Sequence, residues 1–210
     1  AQIASAELPG AEALGQAASE AATPGIRNTA TLGGNLLQRP RCWYFRNREL
    51  VCLKKGGDTC LAIMGDNRYN AILGAGPSFI VHPSSLATAL TALDAVVEID
   101  RGREDGPRDL LSLAELFVSP SEDATREHRL EPGEILVNVW VPLLADMRSA
   151  YQAVREKQSH DWPLVEAAAR MRLVGGKMSE VRVALGHVAP VPWLAPKAAE
   201  LLEGQAPSVE

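Results

Sequence analysis

At 210 residues, with 46% hydrophobic and 22% charged side chains, the chain can bury a sizeable core and has the balance of a folded protein, not a disordered one. A net charge of −5 argues against a nucleic-acid binder, whose electrostatic footprint is broadly basic. It holds no run of about 18 apolar residues, so no membrane-spanning helix is expected, and the opening AQIASAELPG has neither the charged nor the apolar region of a signal peptide.

Between Ala11 and Ala22, Leu14, Ala17, Ala18 and Ala21 recur at helical spacing and Pro24-Gly25 closes the pattern, which predicts a helix running into a glycine-bearing loop. That loop reads Arg27-Asn28-Thr29-Ala30-Thr31-Leu32-Gly33-Gly34-Asn35-Leu36. Paired glycines let backbone amides approach a phosphate closely and tolerate positive φ, while Thr31 and Asn35 add side-chain donors at either end. The plain alternative for a Gly-Gly pair between apolar stretches is a tight turn.

From Gln38 to Gly76 the sequence is rich in Gly, Arg, Asn and Asp without a sustained period, an irregular excursion long enough to need a staple or a function. It carries all three cysteines, Cys42, Cys52 and Cys60. Arg39, Arg41, Arg46, Arg48, Lys54 and Lys55 stand there against the single acid Glu49. Such charge would favour thiolates and an anionic cluster; a solvated loop or a partner-docking patch is the other reading. The spacing C-x9-C-x7-C matches no pair of zinc knuckles, and an odd count in one tight group disfavours a pure disulfide framework. The open choices are an iron–sulfur site, a Cys3His zinc site completed by His82, and unligated or disulfide-linked thiols. Trp43, Tyr44 and Phe45 read as a hydrophobic anchor beside Cys42. His82, before a proline at a helix entrance, reads first as structural.

Pro83 and Ser84 start a helix through Leu86, Ala89, Leu90 and Leu93, and Ala95 to Ile99 reads as a strand. Gly102 to Pro107 is a polar turn and a seam, and Ser112 with Glu115 is a capping box opening a short helix to Leu116. A second region opens near Glu131, with Ile135, Val137, Val139 and Val141 alternating before Pro142. Val165 to Leu173 and Val181, Val183 and Leu185 form a hairpin about Gly175-Gly176, and Pro196 to Gly204 frames a terminal helix. The fold class is α+β, and no nucleophile–base pair stands out.

In this order, RNTATLGGNLLQRPRCWYFR, the cysteine insert, HPSSLATALTALDAVVEI and EPGEILVNVWVP resemble the FAD-binding subunit of the molybdenum hydroxylases, the xanthine dehydrogenase and carbon monoxide dehydrogenase family. The likeness is strongest to the flavin subunits of bacterial aldehyde oxidoreductases that carry an extra 4Fe-4S cluster. It implies the second lobe of a PCMH-type FAD-binding domain over residues 1–120, with a cysteine-bearing insert at about 38–78, and then a small α+β C-terminal domain with an antiparallel sheet over 121–210. It implies that FAD is held by Thr31, Leu32, Gly33, Gly34 and Asn35, with Ser85 near the flavin, where relatives have Asp. Cys42, Cys52 and Cys60 are the implied cluster ligands, and Ser78 stands at the position of the fourth cysteine, ahead of His82. His160, Asp161 and Trp162 lie where the C-terminal domain of the family approaches the flavin ring.

The implied function is electron transfer from a molybdenum-cofactor subunit, through 2Fe-2S centres, to FAD and on to an external acceptor. The implied partners are the molybdenum and 2Fe-2S subunits of a hetero-oligomer. Relatives begin with another FAD subdomain bearing an AGGT-like loop, which has no counterpart after Ala1-Gln2-Ile3, so the chain is expected to be a fragment, a processed product or the ordered part of something longer. The default location is the cytoplasm, with export through a partner's signal as the other expectation. The competing function is a non-catalytic scaffold or metal-binding subunit that keeps the fold without flavin.

Overall fold

The computed structural model, which describes residues 1–103, 106–144, 146–157 and 160–208, is an α+β fold of two antiparallel sheets with helices between them. Helices α1 (Gln2–Ser5), α2 (Glu12–Glu20), α3 (Pro24–Thr29), α4 (Leu32–Leu36) and α5 (Trp43–Arg46) precede α6 (Ser85–Ala92). Strands β1 (Val96–Asp100) and β2 (Asp109–Ser112), helix α7 (Leu113–Leu116) and strand β3 (Ile135–Trp140) complete the first lobe. Strands β4 (Met147–Arg155), β5 (Pro163–Val174), β6 (Lys177–Gly186) and β7 (Trp193–Leu194) follow, then α8 (Pro196–Leu202). The sheets run β2-β1-β3 and β4-β5-β6-β7.

Helix α6 lies between the two sheets because its sequence is apolar on two sides. Leu86, Leu90 and Leu93, spaced i, i+4, i+7, join Leu14, Leu36, Val97, Ile99, Leu113, Leu116, Phe117 and Met147 in the first core. Ala89 and Ala92 face Ala13 and Ala17 of α2 and Tyr151, Ala168 and Ala184 of the second sheet, where small side chains allow a close approach. Ser84 caps the helix, accepting the Ala87 amide at 3.0 Å. At the other end Arg170 donates to the Leu93 carbonyl at 3.3 Å and Arg182 to the Thr91 carbonyl at 3.4 Å. Both arginines pair with Asp94, placing cations where a helix C-terminus favours them.

Helix α2 covers the exposed edge of β4. The Ser149 amide donates to Glu12 at 3.1 Å and the Tyr151 amide to Gln16 at 2.7 Å, satisfying strand groups that would otherwise template foreign pairing. Beneath α6, Glu166 is 1% exposed and accepts from Thr88 Oγ1 and from the Tyr151 hydroxyl, each at 2.6 Å. A carboxylate so buried persists only where such donors offset its lost hydration. Burial and Glu166 together push the Tyr151 phenol far upward.

Most elements lie where the hydrophobic period places them, including the capping box at Ser112 and Glu115 and the hairpin about Gly175-Gly176, both at positive φ. Others differ. Pro24 does not end a helix but occupies the first turn of α3, whose N-cap Thr23 accepts the Ile26 amide at 3.4 Å. The strand from Ile135 does not open the second sheet; it pairs with β1 in the first. A register shift at Glu98/Ile99 turns Leu136 and Val139 toward the core and leaves Ile135 and Val137 outside, so the expected single apolar face is broken. In the turn from Gly102 to Pro107, Glu104 and Asp105 lie outside the described residues.

A Cβ at Gly186 would overlap Glu166 Oε1 and Thr88 Oγ1. Gly186→Ala is therefore expected to lower the unfolding free energy by about 2 kcal/mol, read as a shifted denaturant midpoint; an unmoved midpoint would mean that Glu166 has room to spare.

Candidate functional site

The segment from Thr31 to Asn35 is the first turn of a short helix, not a loop. Thr31 is the N-cap of α4, its Oγ1 accepting the Gly34 amide at 3.1 Å, while buried Leu36 fastens the other end into the core. Neither Gly33 nor Gly34 has a positive φ, so the expected left-handed freedom is not used. A Cβ on Gly33 would meet nothing nearer than the Leu136 carbonyl at 3.9 Å. The pair instead leaves bare backbone at the surface, and helix geometry leaves the Leu32 and Gly33 amides without an intrahelical acceptor.

Asn35 is tied to the entrance of α6, where the Ser84 hydroxyl donates to its Oδ1 at 2.6 Å. The two sequence motifs therefore meet in space. Ser85, expected near the flavin, is part-buried in the first turn of α6, within hydrogen-bonding reach of the Tyr151 hydroxyl. It joins the interior network around Glu166.

All three cysteines are free, Cys52 and Cys60 buried and Cys42 half-buried. The Leu53 amide donates to the Thr59 carbonyl at 2.8 Å, closing residues 52–60 into a loop with Cys52 and Cys60 at its ends. Asn70 Nδ2 stands 3.8 Å from Cys42 Sγ and donates to the Phe79 carbonyl at 2.9 Å, tethering Cys42 to the residue after buried Ser78. Among the described residues, no three His, Cys, Asp or Glu side chains gather as a group able to hold a metal ion. The Cys3His arrangement is not formed. His82 instead stacks edge-on to Phe117 at 4.4 Å and accepts the Ser84 amide on Nδ1 at 3.3 Å.

The basic run holds the insert together, a use the sequence pattern did not suggest. Lys54, 3% exposed, donates to the Ala124 and Arg126 carbonyls at 3.1 and 3.0 Å and pairs with Glu127, as does Arg39. Arg46 reaches the Pro40 and Arg39 carbonyls, and Lys55 the Asn47 carbonyl. Irregular backbone has no ladder partners, so its carbonyls take side-chain donors. Trp43 Nε1 and the Tyr44 hydroxyl both donate to the Asp66 carbonyl, so the aromatic anchor works through its polar tips.

The turn between β4 and β5 grips the insert from the other side. Arg41 lies over the Trp162 ring, 3.3 Å from its centroid, and the Tyr69 hydroxyl donates to Glu156 at 3.0 Å. Asp161 accepts the Lys157 amide, and His160 takes a positive φ. Asn70, Ser84 and Glu166 are the residues that the sequence pattern did not single out as partners. Only Ser84 carried a signal, as a helix start.

Burial pushes the His82 imidazole down to about 3, with nearby His187 and His128 adding repulsion and the Leu36 carbonyl opposing. Burial lowers His187 and His128 as well, against Glu166 and Glu127 respectively. Unfolded imidazoles titrate near 6.5, so as pH falls the unfolded chain takes up protons first. These groups leave stability intact above about pH 6.5 and remove it progressively below, by at most about 1.4 kcal/mol per pH unit for each ring. Unfolding free energy measured between about pH 7 and pH 5 is expected to decline, and His82→Gln to flatten that decline. An equal slope in the variant would mean that His82 titrates normally.

The family described as the FAD binding domain in molybdopterin dehydrogenase matches residues 2–144, and that described as the CO dehydrogenase flavoprotein C-terminal domain matches residues 149–210. The aldehyde oxidoreductase FAD-binding subunit PaoB of Escherichia coli (strain K12) is 37% identical over 182 residues, covering 86% of this chain and 55% of that protein. A carbon monoxide dehydrogenase from Hydrogenophaga pseudoflava superposes with a TM-score of 0.62 at 25% identity, over 99% of this chain and 54% of its own. Quinoline 2-oxidoreductase from Pseudomonas putida 86 shares the fold, with a TM-score of 0.58 at 21% identity over 92% of this chain and 50% of that one. The chain thus spans about half the length of the relatives it matches. With one match ending at residue 144, after β3, and the other beginning at 149, within β4, where the first sheet gives way to the second, the chain belongs to the family of FAD-binding domains of molybdopterin dehydrogenases and continues into the flavoprotein C-terminal domain.

Proposed function

We propose that this chain is part of the FAD-binding, electron-transferring subunit of a molybdenum-containing oxidoreductase of the aldehyde or xanthine type. Electrons reach it from a molybdenum-cofactor subunit by way of a 2Fe-2S subunit and leave for an external acceptor. The observation that carries the reading is the Gly33-Gly34 turn. It lies within the stretch matched to FAD-binding domains, it is free of any packing need for glycine at residue 33, and it offers unengaged amides.

The donor set fits a diphosphate. The Leu32 and Gly33 amides and the outward edge of the Asn35 carboxamide would hold it, with the Thr31 hydroxyl proton available beside them. When bound, FAD supplies the redox chemistry, and the protein's part is to bind it, orient it and exclude water. No helix among the described residues is long and apolar enough to cross a membrane.

Two separate tethers hold the thiols, Cys52 and Cys60 in one loop and Cys42 at Asn70. The resemblance implies a 4Fe-4S cluster on Cys42, Cys52, Cys60 and Ser78. Anaerobically purified protein must then contain iron and acid-labile sulfide in equal amounts, and the absence of both removes the cluster while leaving the flavin reading in place.

Gly33→Ala tests the cradle with two readouts of opposite sign. The new methyl has room, so helix propensity is expected to raise stability by up to about 1 kcal/mol. The same methyl would stand beside the amides proposed to hold the diphosphate, and FAD affinity is expected to fall about tenfold or more. Unchanged FAD affinity in this variant would refute the cradle, and colourless native protein would favour the flavin-free scaffold.

A further inference from the structure

We propose that Ser84 is a positioning residue for flavin binding: its hydroxyl fixes the Asn35 carboxamide with the oxygen turned inward and the amino group turned outward, so that a donor faces the diphosphate. The proposal rests on the cradle reading above and adds a residue that touches no ligand.

Helix α4 is too short and too rich in glycine to hold a side chain by itself: it has five residues, two of them glycine. Its rigidity is borrowed. Thr31 caps one end and Leu36 is buried at the other, and the Asn35 side chain has its own tie to Ser84 at 2.6 Å. Ser84 is 1% exposed and sits at the head of α6, where every residue from Leu86 to Ala92 is buried. The orientation of Asn35 is therefore set from the firmest part of the core, 49 residues away in sequence.

The bond runs from the Ser84 hydroxyl to the Asn35 carboxamide oxygen. A serine hydroxyl has one hydrogen and two lone pairs. The Ala87 amide already donates to Ser84 Oγ at 3.0 Å, and the hydroxyl proton goes to Asn35 Oδ1. Gln38 Nε2 donates to the Asn35 backbone carbonyl at 2.8 Å, so that oxygen is engaged as well. Asn35 Nδ2 keeps both hydrogens, and among the described residues no acceptor meets it. A reversed carboxamide would set a lone pair against phosphate oxygens, converting an attraction into a repulsion.

The test is FAD titration of the apo full-length protein, followed by flavin fluorescence, with the apo thermal midpoint as a control for folding. Ser84→Gly keeps a tolerable N-cap and removes the hydroxyl; it is expected to weaken FAD binding about tenfold with little change in the midpoint. Ser84→Thr retains the hydroxyl and is expected to bind like the native protein. Asn35→Ala should weaken binding at least as much as Ser84→Gly, and the double variant should be no weaker than Asn35→Ala alone, since Ser84 acts only through Asn35. If Ser84→Gly does not fold, Ser84→Ala takes its place in the same cycle. Native-like affinity in the Ser84 variant, or additive losses in the double variant, overturns the proposal. Loss in Asn35→Ala with none in Ser84→Gly sinks the positioning role alone; no loss in Asn35→Ala or Gly33→Ala sinks the cradle with it.

Discussion

The burial of α6 between two sheets is the constraint on which the molecule depends. A helix with leucines on one side and alanines on the other must be covered twice, and each side finds its own sheet. The leucine side demands bulky partners and meets Val97, Ile99, Leu113 and Phe117. The alanine side excludes them and draws the second sheet close. Both ends are then satisfied by side chains, Ser84 at the head and Arg170 with Arg182 at the foot. The buried Glu166 network joins the same helix to β5 and β4 through Thr88 and Tyr151. A charge placed there is a weak source of stability but a strong source of registry, because any shift would strand it without donors.

The insert is built on a different principle. Residues 38 to 80 have little regular structure and few large buried side chains, so their backbone groups need partners from elsewhere. Arginine and lysine supply them. Lys54 is the extreme case, driven almost out of water, its ammonium lowered by burial and held by Glu127 and two carbonyls. Exposed ion pairs such as Arg68 with Asp66 add little beside it. The β4–β5 turn completes the enclosure through Trp162 and Glu156, so the insert and the second sheet are mechanically joined.

At the turn proposed to hold the flavin nucleotide, the glycines serve by what they lack. Their backbone is ordinary helix, and the space around Gly33 would accept a methyl group. A pair of poor helix formers is retained on a surface turn that already needs a cap and a side-chain tether to hold its shape. That combination is costly for a purely structural turn and sensible for one that must meet a large anion with its main chain.

Local spacing alone determined the helices at Glu12–Glu20 and Ser85–Ala92, the capping box at Ser112, the hairpin about Gly175-Gly176 and the presence of a glycine–asparagine motif, because these features are written within one turn or one hairpin of chain. Strand β4 was not legible: its inward side carries Ser149 and Arg155 and its outward side Ala150 and Val154, so hydropathy does not alternate although burial does. The allegiance of β3 was not legible either, since a bulge in pairing reverses which of its residues face the core. Tertiary structure decided that Asn35 is aimed by Ser84, that Lys54 is a buried staple and not a free charge, and that Arg41 lies on Trp162. Each of these is a contact between residues far apart in the chain, and nothing in the local pattern of either partner announces the other.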